Sequence, residues 1–414
     1  MQIPGDPGPF SGWDESIQGA PLGIYGRSHT APDFQGVFSG LCADPETGEI
    51  SALAGVQDPT NRRLERFALQ SVSRSILPTS QTAKCLRVPY RPGGAVDLFY
   101  SPATSSASFG GLVTCHSVWA CPICAAKISE RRRVEIQAAI ASWESQGGSV
   151  VLLTLTHGHG PCDPLAGLLL GEDRALKRFF GCRQGVELMR ALGRVGHIRA
   201  WEVTHGRLRA VSNGWHPHFH ILLFLRSSHF NLAWAEDWAF RIWHNACRLS
   251  GLSLPSRSYG VKLEDGSRAA AYVSKMGLED PPSAWGLDAE MTKGHIKRAR
   301  DGETPFDFLR ACLAGEDPQA RALFREFAGA FKGKKQLVWS RGLRDLFDLG
   351  EVTDEELAAV QEVDAHILAS LSRDDWRLIL RLDARGEILE LARHGSLVPV
   401  QRFLQTLKSM GVDS

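Results

Sequence analysis

The sequence predicts an α+β protein: an antiparallel sheet of split βαβ order covered by helices, a small cysteine-rich segment before it and a mostly helical region after it. Three observations carry that reading. Four of the nine cysteines crowd into residues 85–124. The stretch Gly214-Trp215-His216-Pro217-His218-Phe219-His220-Ile221-Leu222-Leu223-Phe224-Leu225 sets three alternating histidines at the head of an apolar strand. Around it, hydrophobic periodicity switches between two and 3.6 in the order strand, helix, strand, strand, helix, strand.

The 414 residues suffice for two or three domains. A formal charge of +1 means that any contact with nucleic acid must come from local basic patches. Met1–Phe10 is Pro/Gly-rich and lacks a basic-then-apolar leader, and no apolar run approaches the roughly 20 residues of a bilayer span, so a soluble cytoplasmic chain is expected. In a reducing compartment the clustered cysteines read as metal ligands and not as disulfides.

Residues 1–65, rich in Gly, Pro, Ser and Asp, are expected to be a flexible extension. In the cysteine segment, 66–146, Phe67–Val72 opens a short helix and Lys84–Val88 is extended. Cys121-Pro122-Ile123-Cys124 has C-x-x-C spacing, which lets both sulfurs face one ion. Cys115 and Cys85 complete a tetrahedral Zn²⁺ site, with His116 as the substitute for either distal ligand. A redox pair shares this spacing, but it opens a helix directly after a strand and has no further cysteines nearby. Lys127–Ala141 is helical; Arg131, Arg132 and Arg133 on its early turns form either a solvated face or a set of phosphate contacts.

Residues 147–280 are the expected core. Gly147-Gly148 breaks the helix, Ser149–Thr156 is a buried strand, and Leu165–Leu192 is helical around Leu176, Phe179 and Phe180. His197–Thr204 alternates, with Ala200, Glu202 and Thr204 on one face and Trp201 and Val203 on the other. Asn213-Gly214 is a turn signal that pairs this strand antiparallel with the histidine strand. Side chains two apart share a face, so His216, His218 and His220 line one side, where imidazoles can reach a common divalent ion. Glu202, on the neighbouring strand, can offer a carboxylate to that ion.

Phe230–Leu249 is an amphipathic helix whose Trp234, Trp238 and Trp243 are read as core. Ser258–Leu263 is a fourth strand, and Arg268–Met276 a short helix with Tyr272 and Lys275 on one face. The order is the ferredoxin-like one, with a sheet face left open to nucleic acid. A metal-polarised phosphate and a nearby cation would lower the barrier to attack by the Tyr272 phenol. Residues 281–414 read as helices over Phe306–Ala314, Ala320–Phe331, Ser340–Asp348, Thr353–Leu371 and Leu378–Leu391. Two basic clusters, one containing Lys297 and Arg298 and the other Lys334 and Lys335, are candidates for DNA-backbone contacts or else solvated loops.

Taken together, Leu153-Thr154-Leu155-Thr156, His218-Phe219-His220 with its apolar run, and Tyr272-Val273-Ser274-Lys275 resemble the ordered three-motif set of HUH endonucleases. The nearest group is the rolling-circle plasmid replication initiators whose second motif is His-Pro-His-x-His. Thr114–Ile128 and Gly333–Leu343 are similar to stretches flanking the core in that group, so the likeness covers about Arg66–Leu349. It implies His218 and His220 as ligands of Mn²⁺ or Mg²⁺ with Glu202 as the third, Tyr272 as nucleophile, Lys275 as the residue that orients the phosphate or assists the phenol, and His216 as support. It further implies a site-specific nick in double-stranded plasmid origin DNA, the nicked strand being bound single-stranded, in a bacterial cytoplasm and away from membranes. The products would be a 5′-phosphotyrosyl enzyme and a free 3′-hydroxyl, with host helicase and polymerase as partners.

The alternatives are a transposase or relaxase of the same chemistry, or a non-catalytic, zinc-stabilised DNA-binding regulator. Some initiators carry a glutamate shortly before the tyrosine that helps water release the enzyme. Here Arg268 stands four before Tyr272, and the nearest acids are Glu264 and Asp265. Tyr259 is a candidate second nucleophile.

Overall fold

The computed structural model describes residues 41–43, 50–52, 59–208, 211–227, 230–266, 302–359 and 364–409. Strands β1 (Leu41–Ala43) and β2 (Ile50–Ala52) pair as a small antiparallel ribbon. Helix α1 (Pro59–Ile76) is longer than the short helix expected from Phe67–Val72. Its buried face includes Gln70 and Ser73 beside Leu69 and Ile76, so polar residues interrupt the apolar period that would have betrayed it. Both are satisfied: Gln70 Nε2 donates to Cys85 O at 2.8 Å and Ser73 Oγ to Ala120 O at 2.7 Å. The expected extended segment Lys84–Val88 instead follows a single 3-10 turn, Gln81–Lys84. A hairpin of β3 (Val96–Ser101) and β4 (Ser106–Gly110) comes next, then α2 (Pro122–Ser145), which Cys121 caps and Pro122 opens.

The central sheet takes β5 (Ser149–Leu155), β6 (Arg194–His205), β7 (Trp215–Leu225) and β8 (Val261–Glu264), with α3 (Leu165–Gly181) and α4 (Arg183–Ala191) between the first two strands and α5 (Leu232–Ser250) between the last two. Strand order is β8-β5-β7-β6 and every neighbouring pair is antiparallel. Gly214 begins the return to β7 at φ +70°, where a Cβ would lie 2.6 Å from Gly160 O; only glycine fits this turn. Register then sets Glu202 opposite His218, Ala200 opposite His220, and Thr154 opposite His220.

On one face, Leu153, Leu155, Trp201, Phe219 and Ile221 pack with Phe179 of α3 and Trp243 of α5. The other face, expected to be open, is half covered: Ile136, Ile140 and Trp143 of α2 pack on Val150, Leu152, Ile198, Leu222 and Phe224. The unbroken apolar run 221–225 carries that information, since a strand apolar at every position is buried on both faces.

Helices α6 (Pro305–Ala314) and α7 (Pro318–Ala330) extend the core beneath Trp201 and Trp215. The short strand β9 (Leu337–Trp339) then adds itself outside β6. The helix expected over Ser340–Asp348 is replaced by turns around Gly342, at φ +78°, because Ser340 exchanges backbone and side-chain hydrogen bonds with His197 at 2.8 and 2.9 Å. Likewise Thr353–Leu371 is not one helix: it divides into α8 (Asp354–Ala359) and strand β10 (His366–Leu371), which pairs with β3. An unpaired edge of β3 recruits that segment, overriding its local helix preference. Helices α9 (Arg373–Arg381), α10 (Arg385–Ala392) and α11 (Val398–Ser409) close over the resulting three-stranded sheet, with Trp376 edge-on to Phe109 at 5.1 Å.

Candidate metal centres

Strand alternation and register bring three donors together at the exposed end of the central sheet. Glu202 Oε2 lies 3.0 Å from His218 Nε2 and 2.8 Å from His220 Nε2, and the two Nε2 atoms are 3.1 Å apart. Neighbouring ligands on an octahedral ion with bonds of about 2.1 Å stand about 3.0 Å apart, so the three atoms fit one face of such an ion. The remaining ring nitrogens support the same reading. His220 Nδ1 is 3.0 Å from Thr154 Oγ1 and His218 Nδ1 is 3.3 Å from the His216 carbonyl. Each faces an oxygen that can accept a hydrogen bond from the ring N–H, and the tautomer that makes this bond leaves the Nε2 lone pair for an ion.

The side chain of Glu202 is 51% exposed, whereas His218 is buried, so the site opens to solvent from the carboxylate side. Burial acts to raise the Glu202 carboxyl, but hydrogen bonds and charge from His218 and His220 outweigh it and hold the group well below the usual carboxylate range. Burial lowers His218, and the Glu202 contact more than restores it, for a net shift upward.

His216 stands outside this cluster. Its Nδ1 lies 2.7 Å from His159 Nε2, and His159 Nδ1 lies 2.7 Å from Asn213 O. His159 went unnoticed in the sequence, although His157-Gly158-His159 directly after a strand repeats the alternation of β7. Glu172 was missed as well. It is fully buried in α3, 3.3 Å from His157 Nε2, and it accepts from Trp201 Nε1 at 3.0 Å, which anchors the residue before Glu202. A carboxylate inside Leu168-Leu169-Leu170-Gly171-Glu172 was the available signal.

The second cluster joins Cys85, Cys115, Cys121 and Cys124. Sulfur separations of 3.5 Å (Cys85–Cys124), 3.7 Å (Cys115–Cys124) and 3.8 Å (Cys85–Cys121) match the edge, about 3.8 Å, of a tetrahedron with metal–sulfur bonds of about 2.3 Å. Burial pushes the Cys121 thiol up, so a cation is what would hold these sulfurs as thiolates. His116 is not in the group; its Nε2 meets Thr114 Oγ1 at 2.5 Å. The C-x-x-C pair does open a helix, as a redox pair would, so the two additional cysteines are what distinguish the site. Gln70 reaches it, with Nε2 at 3.8 Å from Cys121 Sγ, and its Oε1 accepts from the fully buried Arg385 at 2.5 Å. No local pattern links Arg385 to cysteines some 300 residues earlier.

Of the basic candidates, Arg132 pairs with Glu135 and Asp354, and Arg133 with Glu130 and Gln137. Arg131 is half-buried on the same helix. Lys334 meets Asp173 at 3.0 Å and lies over the Trp201 ring, while Lys335 is exposed. Tyr259 is 78% exposed and precedes β8 instead of lying within it. Tyr272, Lys275, Lys297 and Arg298 lie outside the described residues, as does the expected helix Arg268–Met276. No helix among the described residues is long and apolar enough to cross a membrane.

Residues 111–250, which hold Cys115 through α5, match the family model described as a replication protein. A protein rep of Streptomyces lividans is 28% identical over 343 residues, covering 66% of this chain and 73% of the relative. A neomycin resistance protein of Streptomyces cyanogenus is 31% identical over 150 residues, covering 30% of this chain and 33% of the relative. No solved structure matches.

Proposed function

We propose that this chain, whose residues 111–250 match the replication protein family model, initiates rolling-circle plasmid replication by nicking and rejoining origin DNA at an HUH-type site. The observation that carries the reading is the convergence of Glu202, His218 and His220 within 3.1 Å, inside the family-matched segment. The ferredoxin-like reading of the core rests on the strand order β8-β5-β7-β6 with all-antiparallel pairing.

A divalent ion, Mn²⁺ or Mg²⁺, held by these three residues would polarise a non-bridging oxygen of the scissile phosphate. Thr154 and the His216 carbonyl keep both imidazoles aimed at that position. The Tyr272 oxygen forms a bond to phosphorus as the bond from phosphorus to the 3′ oxygen breaks. The phenolic proton ends on the 3′ oxygen, leaving a 5′-phosphotyrosyl enzyme and a 3′-hydroxyl that primes a polymerase behind a helicase. Lys275 neutralises charge on the phosphate. The phosphotyrosyl linkage keeps the phosphodiester energy, so rejoining needs no nucleotide cofactor. The four cysteines would hold Zn²⁺ as a structural ion, since the group supplies four thiol ligands, the full set of a closed structural site.

The test is incubation with supercoiled plasmid bearing the cognate origin and Mn²⁺ or Mg²⁺. Nicked circles and a covalent protein–DNA adduct are expected, both lost in Tyr272→Phe and in His218→Ala/His220→Ala. Binding without nicking would favour a non-catalytic DNA-binding protein, and an adduct that survives Tyr272→Phe would remove Tyr272 from the role.

A further inference from the structure

Beside the cysteine cluster lies a groove of about 1230 Å³, walled by residues 79–82, 115–120, the end of α7, the following loop and β9. Arg325, Lys332, Lys335 and Arg341 line it. All four are exposed, and none is ion-paired among the described residues. The acids of the lining, Asp345, Glu351, Asp354 and Glu355, belong to the segment before and into α8, where Asp354 is already tied to Arg132. The basic residues thus gather near β9, and β9 is the strand that leads to the metal-ligand cluster. Ala200 pairs with Leu337, and Trp201 N–H donates to Gln336 O at 3.1 Å, which carries the register one residue further. Continued one residue beyond that hydrogen bond, the same register would bring Lys335 level with Glu202.

We infer that this groove binds the phosphate backbone of single-stranded DNA continuous with the strand nicked at the Glu202–His218–His220 site, with Lys335 at the junction. The inference rests on the nuclease reading for the identity of that strand. Four cations without partners along a concave path are an electrostatic track for a flexible strand. The walls are loops, helix ends and a short strand, a concave surface that suits a flexible strand better than the major groove of a duplex, which is read by an inserted helix or ribbon. Trp119, tilted against Phe331 at 4.2 Å between ring centroids, and Trp339, beneath Arg344, each have one partner already against the ring, so contact with phosphates is the expected main mode.

The experiment is fluorescence anisotropy of a labelled single strand and of the matching duplex over a salt series, with no divalent ion added. The full chain is compared with Arg325→Ala/Lys332→Ala/Lys335→Ala/Arg341→Ala and with a charge-matched control, Lys177→Ala/Arg183→Ala/Arg190→Ala/Arg248→Ala. Each lost phosphate contact should flatten the log–log salt slope by about 0.7, so the groove variant should lose about 3 for single strands and the control nothing. Lys335→Ala alone should lose about 0.7, and Lys335→Arg should restore it. An unchanged slope in the groove variant, or a loss confined to the duplex, overturns the assignment. Nicking is scored separately: slope loss in a protein that never nicks supports the groove while removing the nuclease reading, whereas intact nicking with an unchanged slope removes the groove alone.

Discussion

Replacing Thr154 by valine changes one atom of consequence. The hydroxyl stands 3.0 Å from His220 Nδ1 on the strand facing the histidine, at the directly opposed register position, and valine retains the branched shape and the strand preference of threonine. What disappears is the acceptor that holds the His220 proton on Nδ1. Losing one hydrogen bond is worth about 1 kcal/mol net. The ring can then flip or take up the wrong tautomer, which carries the total into the middle of the 10- to 100-fold range seen when an outer partner of a ligating histidine is removed. The Mn²⁺ affinity of Thr154→Val should therefore fall by about 30-fold, or about 2 kcal/mol, with thermal stability little changed. Thr154→Ser, which keeps the oxygen, should stay within a few-fold of the parent. Isothermal titration with Mn²⁺, or the signal of free Mn²⁺ in electron paramagnetic resonance, measures this directly. Equal affinity in Thr154→Val and the parent would refute the argument that this contact orients a ligand.

Three other outcomes are expected. Substituting any one of Cys85, Cys115, Cys121 or Cys124 by serine should abolish stoichiometric zinc in the purified protein, read by atomic emission, while Cys162→Ser, at an exposed position, leaves it intact. Arg385→Met, which removes the buried donor to Gln70 and one of the two guanidinium groups on Asp383, should cost about 2 kcal/mol in urea unfolding and speed zinc transfer to a chromogenic chelator; an unchanged transfer rate would disconnect Arg385 from the cysteine site. Glu387 is held up at about 7 from its ordinary 4.5, first by burial and then by the charge of Asp383. Between those values the unfolded chain releases a proton that the folded one keeps, so stability falls as pH rises through the window and the cost, at most about 3 kcal/mol, is complete above it. Glu387→Gln should flatten that dependence, measured by urea titrations on either side of the window.

What could be read in advance was whatever is written locally. The shared face of the β7 histidines follows from a period of two, the antiparallel pairing of β6 with β7 from the turn signal Asn213-Gly214, and the thiol set from C-x-x-C spacing with two further cysteines. The residues that were missed act across the chain. His159 reaches His216 over 57 positions, and Arg385 reaches Gln70 over 315. The sequence of β10 lacks alternation and reads as helix, and it is the vacant edge of β3 that makes it a strand. The half-covered sheet face is legible in Leu222 and Phe224, apolar positions on the face expected to be open.

The pairing of β10 with β3 also fixes an order of events on the ribosome. Ser101 ends β3 and Leu371 ends its partner, so at about 5–20 residues per second the outer edge of β3 waits roughly a quarter of a minute to a minute before its neighbour is made. An edge left bare for that long is a template for pairing with another nascent chain. The four cysteines fall within a span of 39 positions and are complete long before then. Metal supply during synthesis would thus act on the first third of the chain, and termination between Cys124 and His366 would leave a fragment with a complete thiol set and an adhesive strand.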